Sequence, residues 1–100
     1  MTANLEMIKE AREILEGNIE KTPIYTASRM GENLYIKMEN LQKTGSFKLR
    51  GAFNKIAHLT DEQKKKGVIS CSAGNHAQGV ALSATRQGIK SYICIPSIAP

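Results

Sequence analysis

The sequence predicts an α/β fold built on a parallel strand–helix–strand unit. Three observations predict it. Val68-Ile69-Ser70-Cys71 and Ser91-Tyr92-Ile93-Cys94-Ile95 are short apolar runs of strand length. Between them Ala77, Val80, Ala81 and Ala84 recur at helical spacing. The links are short, so the two strands lie parallel with the helix as their crossover. The hydrophobic share of 41% in 100 residues is that of a packed domain and excludes a disordered chain.

The elements before this unit follow in order. Asn4 caps a first helix with Glu6 in its first turn, and Leu5, Ile8, Ala11 and Leu15 share one face up to Gly17. Thr22-Pro23 breaks the chain, and Pro23 to Thr26 is a short strand opened by proline. A brief turn is expected over Ser28 to Gly31. Residues 33–39 alternate Leu34, Ile36 and Met38 with Tyr35, Lys37 and Glu39, the pattern of a half-buried strand. A helix runs from the region of Lys48 to about Leu59, with Leu49, Ala52, Phe53 and Ile56 inward. Thr60-Asp61-Glu62-Gln63 is a capping box opening a short polar helix that Gly67 stops. Gly88 ends the crossover helix, and Pro96 closes the last strand. Two parallel strands make an incomplete sheet, since such sheets need cover on both faces. The sequence is therefore expected to be the N-terminal piece of a longer protein.

The formal charge is +5 and uneven: −2 over residues 1–42, +5 over 43–67 and +2 over 68–100. The one basic run, Lys64-Lys65-Lys66, has no interleaved aromatic residues for base stacking, so it is a solvated helix end and no nucleic-acid partner is expected. No apolar run approaches the length of a membrane span, so no membrane partner is expected either. Cys71 and Cys94 sit in apolar runs without metal-ligand spacing. They are expected to be buried free thiols in a reducing, cytoplasmic compartment, with no metal site.

Two stretches carry chemistry. In Lys43 to Ala52, Gly45 and the potential N-cap Ser46 precede Lys48, which falls in the first turn of a helix. A cation there opposes the helix dipole, and a neutral amine is a nucleophile. The local residues leave two readings open, a solvated lysine or a reactive one. The second stretch, Ser72-Ala73-Gly74-Asn75-His76-Ala77-Gln78-Gly79, follows a strand and opens a helix. Ligands of α/β sheets bind in that place, and its backbone N–H groups suit an anion. The other reading is an ordinary helix capped by Asn75, with His76 on the surface. Gly79, lacking a side chain, allows close packing. His76 has no carboxylate partner in sight and is not assigned as a base. The glycines match neither a dinucleotide fingerprint nor a phosphate-binding loop ending in Lys-Ser/Thr.

Together the two stretches, about 24 residues apart, resemble the fold-type II pyridoxal-phosphate (PLP) enzymes, whose architecture is tryptophan synthase β-like. Within them, Lys48-Leu49-Arg50-Gly51-Ala52 is similar to the threonine dehydratases, or threonine ammonia-lyases. Related cysteine synthases place an acidic residue where this chain has Leu49. The resemblance implies an α/β fold in which residues 1–47 begin the large PLP-binding domain and 48–100 begin the small domain. It implies covalent attachment of PLP to Lys48, with Phe47 against the cofactor ring and Asn75 on its phenolic oxygen. Ser72, Ala73, Gly74, Asn75 and His76 would hold the carboxylate of a small amino-acid substrate. The expected reaction converts L-threonine or L-serine to 2-oxobutanoate or pyruvate and ammonia. Serine racemases of this family carry a serine, acting as acid and base, where this chain has Ala73. The family's phosphate loop is expected beyond Pro100, so these 100 residues alone are expected to be inactive, and the full protein to be a homo-oligomer. A cysteine synthase-like β-replacement enzyme and a noncatalytic binding fragment are the alternatives.

Overall fold

The computed structural model describes residues 2–100. Helix α1 spans Leu5–Leu15, and strands β1, Ile24–Thr26, and β2, Tyr35–Lys37, form an antiparallel ribbon. Two single 3₁₀ turns, Glu39–Leu41 and Lys43–Gly45, lead into α2, Lys48–Ala57. Helix α3 spans Asp61–Lys66, β3 Val68–Cys71, α4 Asn75–Arg86 and β4 Ser91–Cys94. β3 and β4 pair in parallel, from Val68 opposite Ser91 to Cys71 opposite Cys94, with α4 as the crossover.

The caps set the helix ends. The Asn4 side chain accepts the Met7 N–H at 2.9 Å. Thr60 and Gln63 bond each other's backbone N–H reciprocally, completing the capping box of α3. Gly67 then turns the chain into β3 at φ +86°, and a Cβ there would lie 2.6 Å from the Lys90 carbonyl oxygen. That oxygen accepts the Val68 N–H, the first rung of the parallel pair. Gly67 is thus required both by its backbone angle and by the space.

The core lies between α2, α4 and one face of β3–β4. Ala52, Ile56, Val80, Ala84 and Ile89 form it, with Leu59, Val68 and Ile93 packed against it. Leu49 is fully buried at the start of α2.

Several elements differ from the sequence reading. β2 is three residues long, and all three are exposed, so the half-buried strand over 33–39 is a short solvent-facing ribbon. The reason is that the ribbon has two strands and no helix lies over it, so alternation finds nothing to pack on. The face shared by Leu5, Ile8, Ala11 and Leu15 exists, but only Leu15 is buried. α2 ends at Ala57 and β4 at Cys94, each slightly before its expected end. Cys71 and Cys94 are free, as expected, but exposed rather than buried. They alternate with Ser70 and Ile93 along their strands, and it is the latter pair that turns to the core. No described helix is long and apolar enough to cross a membrane.

Candidate active site

Lys48 stands at the entrance of α2, and the turn before it fixes its position. Thr44 and Gly45 both take left-handed backbone angles, at φ +69° and +75°. The reversal suits glycine but strains threonine. Ser46 then runs extended and Phe47 occupies the N-cap position without a side-chain hydrogen bond. The capping role expected of Ser46 is carried out from one residue further back: its buried hydroxyl accepts the Lys48 N–H at 3.4 Å. With Leu49 anchored in the core, Phe47 and Lys48 face solvent. The Lys48 ammonium lies 5.5 Å from the Phe47 ring centroid, within reach of a cation–π contact.

Arg50, two residues on in the same turn, is held by a polar knot that the sequence reading did not find. The Arg50 guanidinium donates to both Glu39 carboxylate oxygens, at 2.9 and 2.7 Å. The Thr22 hydroxyl donates to Glu39 Oε1 at 2.6 Å. Lys37 Nζ donates to the Thr22 carbonyl at 2.7 Å and lies 3.9 Å from the same carboxylate. The Arg50 hydrogen bonds, aided by Thr22 and opposed by partial burial, hold the Glu39 carboxyl at about 2. The pairing raises Arg50 in turn. Beside the knot, the buried Gln42 side chain pairs with the Glu20 backbone in both directions, each bond 2.9 Å. These bonds tie the segment before α2 to the helix bearing Lys48.

The second stretch opens α4. Ser72 N–H donates to the Cys94 carbonyl at 3.1 Å, extending the parallel pairing by one rung. The Ser72 hydroxyl accepts the Gly74 N–H at 3.3 Å. Gly74 is the N-cap, so Asn75 is not the cap but the first helical residue, followed by His76. No side chain caps this helix, which leaves its first-turn N–H groups free for an anion. Ala73, Gly74, Asn75 and His76 are exposed and Ser72 is half-buried.

The two stretches meet through Gly79, which lies in α4 against the start of α2. A Cβ at Gly79 would sit 3.2 Å from the Lys48 carbonyl carbon and oxygen and from Leu49 N. The close packing expected of Gly79 is therefore present. The same helix touches the Lys43–Gly45 turn. A hollow of about 460 Å³ lies elsewhere, along α1 between Ile8, Leu15, Lys37 and Arg50, and Lys48 is not in its wall.

Known proteins resemble this chain in sequence and in fold. The chain is 54% identical over 100 residues to the L-threonine ammonia-lyase of Thermotoga maritima, covering 96% of this chain and 25% of that protein. It is 49% identical to the catabolic L-threonine dehydratase TdcB of Escherichia coli K12, covering 96% of this chain and 30% of the relative. Among solved structures, maize serine racemase superposes over 100% of this chain and 32% of its own, with a TM-score of 0.92 and 41% identity. The chain thus spans a third or less of the length of each. The family described as pyridoxal-phosphate dependent enzyme matches residues 15–100, a span that takes in both stretches, and the chain belongs to that family.

Proposed function

We propose that this chain supplies the lysine and the carboxylate-binding loop of an ammonia-lyase acting on L-threonine and L-serine. The observation that carries the reading is the junction at Gly79, which sets the entrance of α2, with Lys48, beside the uncapped α4 that opens with the loop. The residues fit the cofactor of the family. Lys48 offers a primary amine beside an exposed aromatic ring, and Asn75 an exposed carboxamide in the first turn of α4. The Thr44 hydroxyl, in the turn before Lys48, is buried without a hydrogen-bond partner among the described residues.

In this reading the Ser72–His76 loop binds the substrate carboxylate through first-turn N–H groups and the Ser72 hydroxyl. Phe47 shields one face of the cofactor ring, and Asn75 bonds its phenolic oxygen. PLP, when bound, supplies an electron sink for the charge left on the substrate Cα. The Lys48 amine takes the Cα proton as general base. The β-hydroxyl leaves as water, and water returns to release ammonia, so threonine gives 2-oxobutanoate and serine gives pyruvate. Residues 1–47 and 48–100 are assigned to the beginnings of the large and small domains. The 100 residues alone are assigned no turnover.

A serine racemase is the second reading, favoured by the superposition on the maize enzyme. Ala73 weighs against it, because a methyl group exchanges no proton on the second face of the substrate.

The test is made on the full-length protein. Lys48→Ala is expected to abolish both the imine absorbance and ammonia release, and retained turnover would overturn the assignment. Borohydride reduction followed by peptide mapping is expected to leave a pyridoxyl group on Lys48. No adduct there would favour a noncatalytic binding protein.

A further inference from the structure

The Glu39–Arg50 pair closes a loop with Lys48 inside it. Its partners lie eleven positions apart, and the chain between them makes two 3₁₀ turns before entering α2. Arg50 holds the far end of the loop twice. Its side chain donates to both Glu39 carboxylate oxygens, and its backbone N–H donates to the Phe47 carbonyl at 3.1 Å, across Lys48. The near end is held by the buried Thr22 and by Lys37, which both reach the Glu39 carboxylate. Within the loop, the Gln42 side chain is bonded to the Glu20 backbone and accepts the Lys43 N–H at 3.1 Å. The Gln42 carbonyl accepts the Gly45 N–H at 2.7 Å, closing the turn that carries Thr44 at φ +69°. A β-branched residue is strained at that angle, and such strain persists only where the surrounding structure over-determines it. The bonds at Gln42 and at the two ends of the loop supply that constraint. From the α4 side, the same turn of α2 is fixed by the Lys48 carbonyl against Gly79. The clasp consists wholly of contacts within the chain, so it does not depend on what covers the outer faces.

We propose that Glu39 and Arg50 are positioning residues for the proton transfer assigned to Lys48. The proposal rests on that reading of the site. The pair acts through the backbone, setting the Lys48 Cα and the first turn of α2 from which the amine extends. Proton transfer from the substrate Cα requires the amine at close range, and a displacement of about 1 Å can cost on the order of a hundredfold in rate. The Ser72–His76 loop stands outside the clasp, between β3 and α4. Opening the clasp is therefore expected to slow proton transfer and to spare substrate binding.

The test compares full-length Arg50→Lys and Glu39→Gln with the wild-type protein. Arg50→Lys keeps the positive charge and loses the two-pronged bond. Both variants are expected to retain a pyridoxyl group on Lys48 after borohydride reduction. Per loaded site, kcat for ammonia release from L-threonine should fall by about tenfold to a hundredfold, with kcat/KM falling equally. The isotope effect on kcat with Cα-deuterated threonine should rise, because proton transfer becomes slower than the other steps. In the cofactor-free protein, amide hydrogen exchange over residues 43–50 should quicken while exchange over 75–86 stays as in wild type. A loss of activity that only follows the loss of loaded protein, with isotope effect and exchange unchanged, would overturn the proposal. Wild-type kcat per loaded site in the variants would do the same. A wild-type protein without an adduct on Lys48 would instead overturn the reading of the site, and this proposal with it. If one variant does not fold, the other decides alone.

Discussion

Gly79 and Lys48 meet backbone to backbone. A Cβ on Gly79 would stand 3.2 Å from both the carbonyl carbon and the carbonyl oxygen of Lys48. α4 can move outward only by loosening the contacts of Val80 and Ala84 with the α2 residues Ala52 and Ile56. Gly79→Ala in the full-length protein is therefore expected to cost about 1–3 kcal/mol by overpacking, despite the better helix propensity of alanine. Urea denaturation measures the loss, and a stability equal to wild type would contradict the close approach. Gly51→Ala is the control, because a Cβ at Gly51 meets nothing within 4 Å.

The Glu39–Arg50 pair predicts acid sensitivity. Folding lowers the Glu39 carboxyl from its ordinary 4.5 to about 2. A group whose value is depressed in the folded state contributes its full stabilisation above the unfolded value. That contribution is lost as pH falls from 4.5 towards 2. Glu39→Gln should lower stability at pH 7 by about 1–2 kcal/mol, since a charge-assisted hydrogen-bonded pair is lost at a partly exposed site. It should also flatten the decline in the acid window. Urea midpoints recorded across that window check both, and a parallel decline in wild type and variant would show that Glu39 does not contribute to it.

Ala73 predicts the balance between elimination and racemisation. In the full-length protein, Ala73→Ser places a hydroxyl on the exposed loop where a methyl now stands. D-serine formation from L-serine is expected to rise by at least about tenfold, in keeping with the contribution of one positioned acid–base group. Chiral chromatography of the product measures it. An unchanged yield of D-serine would show that the residue at this position does not set the outcome.

The strand–helix–strand unit was legible in the sequence because each of its signals is local. The apolar spacing of Ala77, Val80 and Ala84, the glycine stops and the Thr60–Gln63 capping box each lie within a few residues. The antiparallel ribbon was legible as two strands but not in its exposure, since alternation records which residues share a face and not whether anything covers it. The same gap misled the reading of Cys71 and Cys94. Their apolar neighbours suggested burial, whereas the pleat gives the core face to Ser70 and Ile93. At the candidate site the close packing of Gly79 was legible from its missing side chain, but not its partner, the start of α2. The Glu39–Arg50 knot was not, because its partners lie eleven residues apart across two 3₁₀ turns. No periodicity marks such a pair, and alternation assigned Glu39 to the outer side of a strand.

Gly67 has a consequence for errors of assembly. The first rung of the parallel pair leaves from the Lys90 carbonyl, whose oxygen fills the space a side chain would need. The starting alignment of β3 is fixed there, upstream of everything the strand delivers. A slip of one residue would turn Ser70 and Val68 to solvent, swing Ile69 and Cys71 into the core and uncouple Ser72 from Cys94. One position without a side chain thus acts as a proofreading stop, so that the loop after β3 arrives facing the right way or the strands do not pair.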